Sequence, residues 1–186
     1  MSTSPKTVDE LIELLNSFNI DYSNWVKPVT TLFDEIQNND CYLDIVDGEL
    51  RRFVDVMKIH CYYTKDNKQY LLKEEKQVFK DGKVRSRNHY HVAEKIQKGE
   101  FLLAAAVRAL KEELQVTVDS TKFIHNANMD TVNSANANPS YSGLVSVYHT
   151  FNFTMDFDDD QYNPDGYQEV QESKTTYFVW VQTTDL

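Results

Sequence analysis

Between Glu94 and Val116 the sequence EKIQKGEFLLAAAVRALKEELQV commits the chain to an amphipathic helix. Leu103, Val107, Leu110 and Leu114 recur at i, i+4, i+7 and i+11, one apolar stripe that the rest of the fold must cover. At about 100° per residue the opposite side presents Glu112, Ala109 and Glu113 in that angular order. The spacing therefore predicts two carboxylates converging on an exposed face, a donor set that suits a hard divalent cation.

The stretch resembles the Nudix box, whose pattern is Gly, five residues, Glu, seven residues, Arg-Glu, an aliphatic, any residue, Glu-Glu, any residue, Gly and an aliphatic. With the paired acids on Glu112 and Glu113, the isolated acid falls on Glu100, the arginine on Arg108 and the aliphatics on Leu110 and Val116. The chain departs from the pattern at Glu94 and Gln115, where glycines are expected, and at Ala109, where a glutamate is expected. The resemblance implies an α/β (α+β) fold: a Nudix-like α/β/α sandwich with a mixed sheet, here with added N-terminal helices. It also implies Mg2+ or Mn2+ held by Glu112, Glu113 and Glu100, with Arg108 orienting the carboxylates through an i, i+4 pair with Glu112. Many Nudix enzymes use a further acid outside the box as ligand or base, and Glu169 and Glu172 are the candidates. The acid missing at Ala109 is commonly a metal ligand in the family, and losing such a group costs about 10²- to 10⁴-fold in rate.

Composition sets the outer bounds. A chain of 186 residues with 41% hydrophobic content is long enough for a real core. Its net charge of -10 opposes general nucleic-acid or membrane-surface binding, whereas a local basic patch and a metal still admit a small phosphorylated ligand. Cys41 and Cys61 are too few and too far apart for a disulfide framework or a zinc site and read as reduced strand cysteines. The segment MSTSPKTVDE lacks the apolar core of a signal peptide, and no apolar run reaches membrane-spanning length, so a cytoplasmic or nuclear location is expected.

Residues 1–40 read as a helical extension packed on a Nudix-like domain of residues 41–186. Thr7 and Glu10 form a capping box for a first helix with Leu11, Leu14, Leu15 and Phe18 inward, ending near Asn19. Pro28 precedes a second short helix, Val29 to Gln37. These helices are also where a protein partner is expected. The period then changes to two: Cys41 to Val46, the turn Asp47-Gly48 and Leu50 to Tyr63 predict a hairpin, and Phe53 to Tyr63 is apolar enough to sit near the sheet centre. Strands are expected at Gln69 to Glu74, Lys76 to Phe79, Val116 to Phe123, Leu144 to Met155 and Lys174 to Gln182. The Asn- and Ser-rich stretch Asn126 to Gly143 reads as a loop long enough for a lid. His149 reads as a hydrogen-bonded interior histidine. The acidic stretch Asp156 to Gly166 lacks the glycine and terminal glutamate of an EF-hand loop and reads as a solvated loop.

Lys83, Arg85, Arg87, His89 and His91 are all odd-numbered and share a face if the segment is extended. One reading is a cationic wall for phosphate oxygens, with Arg85, Arg87 and Lys95 as its binding residues; the other is a solvated strand in an acidic protein. Two functions stay open. The first is a divalent-metal-dependent hydrolase of a small diphosphate compound, with Glu112, Glu113, Arg108 and Glu100 as its machinery. The second is a Nudix-fold ligand- or protein-binding module without turnover.

Overall fold

The computed structural model describes residues 4–135 and 139–185. In chain order the elements are α1 (Val8–Ser17), α2 (Val29–Gln37), β1 (Tyr42–Val46), β2 (Glu49–Lys65), β3 (Lys68–Phe79), β4 (Val84–His89), β5 (Val92–Lys95), α3 (Leu102–Leu114), β6 (Ile124–His125), β7 (Thr131–Ala135), β8 (Val145–Asp156), β9 (Tyr167–Val170) and β10 (Lys174–Gln182). This is an α/β architecture with a large mixed sheet and few helices. Among the described residues no helix is long and apolar enough to cross a membrane.

The chain divides into two compact units, the first made of Met1–Val56, Lys95–Glu100 and Asp130–Thr150. Here Thr7 caps α1, its hydroxyl accepting from the Glu10 amide at 3.1 Å, and the Glu10 carboxylate reaches back to the Lys6 amide at 2.7 Å. The apolar faces of α1 and α2 (Leu11, Leu15, Leu32 and Ile36) are spent within this unit, against Leu43, Leu50, Val54, Tyr141 and Leu144. Asp47 and Gly48 both take positive φ, 53° and 80°, so the β1–β2 hairpin turns as its Asp-Gly pair predicts. A charged group is buried under α2: Arg52 Nη2 donates to Glu35 at 2.6 Å and Lys27 Nζ at 2.8 Å. His149 is half-buried and bonded to Asp55 at 2.9 Å, the pairing expected of an interior histidine. The stretch Asn126 to Gly143 is not a plain loop, because β7 pairs along β8 from Thr131↔Thr150 to Ala135↔Ser146; residues 136–138, part of the expected lid, lie outside the described residues.

The second unit is Met57–Glu94, Phe101–Met129 and Phe151–Leu186. Its strands follow the order β6-β8-β2-β3-β10-β9, with β4 beside β3 and β5 beside β2. The inner place of β2 agrees with its composition, and Met57, Ile59, Cys61 and Tyr63 alternate inward along it. Asp66 and Asn67 both adopt positive φ and close β2 onto β3 as a tight turn. The two short strands expected from Gln69 to Phe79 are one strand, β3, with an irregularity of pairing between Glu74 and Lys76. No strand runs from Val116 to Phe123: the Asp119 carboxylate accepts from the Thr121 amide and hydroxyl, both at 2.8 Å, and diverts the backbone into a short 3-10 turn.

Helix α3 differs in orientation from the reading of its leucines. Ala105, Ala106, Ala109, Leu110 and Leu114 are buried, whereas Leu103 is 43% exposed. The inward face is thus turned by roughly 80° from the leucine stripe, at about 100° per residue. Small side chains allow a helix to approach a neighbour closely, and the alanine run decides the orientation over the leucine spacing. Ala109, expected on the outer face, is fully buried at 0% exposure.

Candidate functional site

With α3 turned this way, Glu113 stands on its inward side, one turn beyond Ala109. It enters a pocket of about 120 Å³ lined also by Glu74 and Gln77 of β3, Arg87 of β4, Ala93 of β5, Glu169 of β9 and Lys174, Thr176 and Phe178 of β10. Every one of these residues belongs to the second unit.

The electrostatics of the pocket centre on Glu113. Burial, then the charges of Glu169 and Glu94, then a hydrogen bond shared with Glu94 push its carboxyl up to about 9, against an opposing pull from Lys174. At neutral pH it carries a proton, which lets it share a hydrogen bond with a second carboxylate. Glu74 is also buried but is compensated: its Oε1 accepts from Arg87 Nε at 2.8 Å and Gln77 Nε2 at 3.1 Å, and its Oε2 lies 3.7 Å from His89 Nδ1. Glu169 accepts from the Gln171 side-chain amide and from Thr176 Oγ1 at 3.3 Å.

The position of Glu169 depends on the turn before β9. Gly166 has a φ of 77°, and a Cβ built there would lie 2.0 Å from the Phe178 carbonyl oxygen. Only a residue without a side chain lets this turn lie so close to β10.

The residues singled out by sequence divide. Glu113, Glu169 and Arg87 come together in the pocket. Glu112 does not: it is 55% exposed and bonded to Arg108 Nη1 at 2.9 Å. Arg108 also reaches Glu94 at 3.6 Å, so it ties the acid behind Glu113 to the acid on the helix surface. Glu100 falls in the first unit, where its carboxylate accepts from the Gln97 amide at 3.0 Å. Lys95, also there, pairs with Glu35 and Asp40, both at 3.6 Å, rather than presenting its charge to a phosphate. Arg85 is exposed opposite Gln77, and Glu172 lines a separate surface hollow with Lys80 and Asp81. Period two holds in part along the basic run: Arg87 and His89 both meet Glu74 and His89 stacks on His91, while Lys83 lies before β4 begins.

Glu74, Glu94 and Lys174 escaped the sequence reading. Glu94 counts as a departure from the box when a glycine is expected there, yet it is the acid hydrogen-bonded to Glu113. Its signal was the carboxylate itself, eight residues past Ser86 in a basic run and aligned with the start of the box. Lys174 opens the last strand and carried no motif. Among the described residues no three His, Cys, Asp or Glu side chains are arranged as a ready-made metal site.

No protein-family model matches the chain, and no curated protein sequence matches it either. Among solved structures it is similar to a C. elegans Ap4A hydrolase in a binary complex, at 17% identity over 71% of this chain and 82% of that one, with a TM-score of 0.40. It is also similar to the NUDIX domain of Shewanella oneidensis NrtR complexed with ADP ribose, at 13% identity over 71% and 74% with a TM-score of 0.43. A MutT/nudix family protein from Enterococcus faecalis is similar at 12% identity over 75% of this chain and 46% of that one, with a TM-score of 0.46.

Proposed function

We propose that the chain is a Nudix-like hydrolase of a small diphosphate compound, dependent on Mg2+ or Mn2+ held at Glu113 with Glu94 and Glu169. The observation that carries this reading is the burial of Glu113 beside two other acids, in a pocket that also receives Arg87 and Lys174. Gathering carboxylates away from water is unfavourable, and a doubly charged cation is the partner that reverses the sign.

The residues fit such an ion by donor chemistry. Magnesium takes hard oxygen donors and needs only one or two protein carboxylates, the rest of its octahedron being water and phosphate. At roughly 30 Å³ per water, a volume of about 120 Å³ holds an ion and a few waters, so the substrate lies at the mouth of the pocket. When bound, the ion would neutralise phosphate oxygens and acidify a water. The chain's own groups do the rest. Glu113, deprotonated to solvent, would hold the ion with Glu94 and Glu169; Arg87 and Lys174 attract phosphate oxygens, Glu74 fixes the Arg87 guanidinium, and Arg108 orients Glu94. Glu94 thereby supplies to the group the acid that Ala109 lacks.

A second reading is favoured by a separate observation: Glu112 is engaged with Arg108 and Ala109 is packed in the core, which leaves one box acid in the pocket. In that reading Arg87 and Lys174 bind a phosphorylated ligand and no bond is broken. A phosphate-release screen over a panel of diphosphates with Mg2+ and Mn2+, repeated with Glu113→Gln and Glu94→Gln, separates the two. Metal-dependent release that both changes abolish supports the hydrolase. Ligand binding without release supports the binding protein.

A further inference from the structure

Beyond the acid pocket, the second unit gathers imidazoles and a lysine that play no part in the chemistry above. Lys58 and His60 are two apart on β2 and share the face opposite the buried Met57, Ile59 and Cys61. His89 ends β4, and His91 follows it. The rings of His60 and His91 meet edge to face at 5.6 Å, and His89 stacks on His91 at 5.5 Å. Arg87 bears on both His89 and His91, and Arg85 on His89. Glu74 is the carboxylate that meets the group, already engaged by Arg87 and 3.7 Å from His89 Nδ1. His60 Nε2 is buried with no hydrogen-bond partner among the described residues. The His89 side chain is 40% exposed, so a solute has access.

We propose that Lys58, His60, His89 and His91, with Arg87 beside them, form a binding site for a small tetrahedral dianion of the phosphate class, occupied with uptake of protons by the imidazoles. Its connection to the hydrolase reading is limited to the identity of the phosphate's carrier, which would be the diphosphate substrate or the phosphate released from it.

In an acidic protein these groups face one another beside Glu74, and each opposes protonation of the next. Burial first, then Lys58, His60, His89 and Arg87, hold His91 down at about 3; burial, Arg87, Lys58 and Arg85 keep His89 below its usual range despite Glu74. Both rings are therefore neutral at pH 7, each with one N–H donor and one acceptor nitrogen. A dianion reverses the balance: its charge favours the imidazolium forms, and each protonated ring then offers two donors. The cluster acts as donors rather than as metal ligands, because Lys58 and Arg87 set positive charge beside the rings, which repels a metal ion and attracts an anion.

The test uses the full chain in buffer containing EDTA, so that neither its success nor its failure depends on cation-dependent turnover. Sulfate is the probe of proton uptake, being a dianion that does not itself titrate near neutrality; inorganic phosphate and pyrophosphate follow. Calorimetry in two buffers of different ionisation enthalpy reads the protons taken up, and NMR follows the histidine ring C–H signals. Proton uptake is expected, with affinity at least about tenfold higher near pH 6 than near pH 8, and shifts at His60, His89 and His91 but not at His149 or His125. Lys58→Gln and His91→Gln, each checked for native unfolding behaviour, should weaken binding by about tenfold or more. Binding without proton uptake, absence of shifts in the three ring signals, or unchanged affinity in both variants overturns the proposal. A failed phosphate-release screen with a positive result here removes the hydrolase and leaves the anion site in place.

Discussion

The Arg108 guanidinium lies 2.9 Å from the Glu112 carboxylate one helical turn away and holds it outside the pocket that Glu113 enters. Two adjacent glutamates of one helix thus serve different ends. Glu112→Gln is expected to leave cation-dependent turnover within about twofold, since an exposed i, i+4 pair contributes only a few tenths of a kcal/mol. Glu113→Gln should lower turnover by about 10²-fold or more. Steady-state phosphate release at saturating Mn2+ compares the two, and equal losses would contradict the division.

Glu113 also makes stability depend on pH in an unusual direction for a carboxyl group. Its folded value, pushed up to about 9, exceeds its ordinary 4.5, so the folded state holds the proton more tightly than the unfolded chain. The contribution is complete below pH 4.5 and is lost as pH rises towards 9. Glu113→Gln should therefore melt above the wild type near pH 8 and converge with it near pH 5, as followed by thermal unfolding across pH. Added Mn2+ near pH 8 should raise the melting temperature of the wild type and not of the variant.

Glu35 has the opposite sign. Burial pushes its carboxyl up, but the Lys27 hydrogen bond and the charges of Arg52 and Lys95 outweigh it and bring it to about 2, below its ordinary 4.5. Stability from this group is present above pH 4.5 and lost as pH falls towards 2. Glu35→Gln leaves Arg52 buried without its counter-charge and should cost on the order of 3 kcal/mol near pH 7. Denaturant unfolding should show that gap shrinking in acid.

Restoring the missing box acid should harm the protein. Ala109 has no exposed surface, so Ala109→Glu forces a carboxylate into packed alanines and leucines. A fall in stability of roughly 2 kcal/mol or more is expected, with no gain in turnover; a variant that melts as the wild type does and turns over faster would show that the new acid reaches the pocket.

Much of the local structure was legible in the sequence, because it rests on short-range rules. Thr7 and Glu10 announce the start of α1, Asp47-Gly48 its hairpin, and the apolar composition of β2 its inner place. The orientation of α3 was not legible, since the leucine stripe and the alanine run give competing faces and only the packing partner decides between them. Glu113, Arg87 and Glu169 were named as candidates for one site, but so were Glu112, Glu100, Arg85 and Glu172, and which of them meet depends on which strands lie side by side. Glu74, Glu94 and Lys174 were missed for the same reason: a lone charge acquires chemistry only from the elements packed around it. His60 was invisible as a neighbour of His91 because thirty-one positions separate them along the chain.

Gly166 carries this dependence into heredity. The turn that brings β9 under the carbonyl of Phe178 tolerates no added methyl group, so even the mildest replacement must lift the turn and, with it, the strand that delivers Glu169. A variant altered there would keep every acid and base of the pocket intact in its gene and still present a misaligned set, a defect visible to a pocket-directed assay and invisible to a reading of the pocket's own codons.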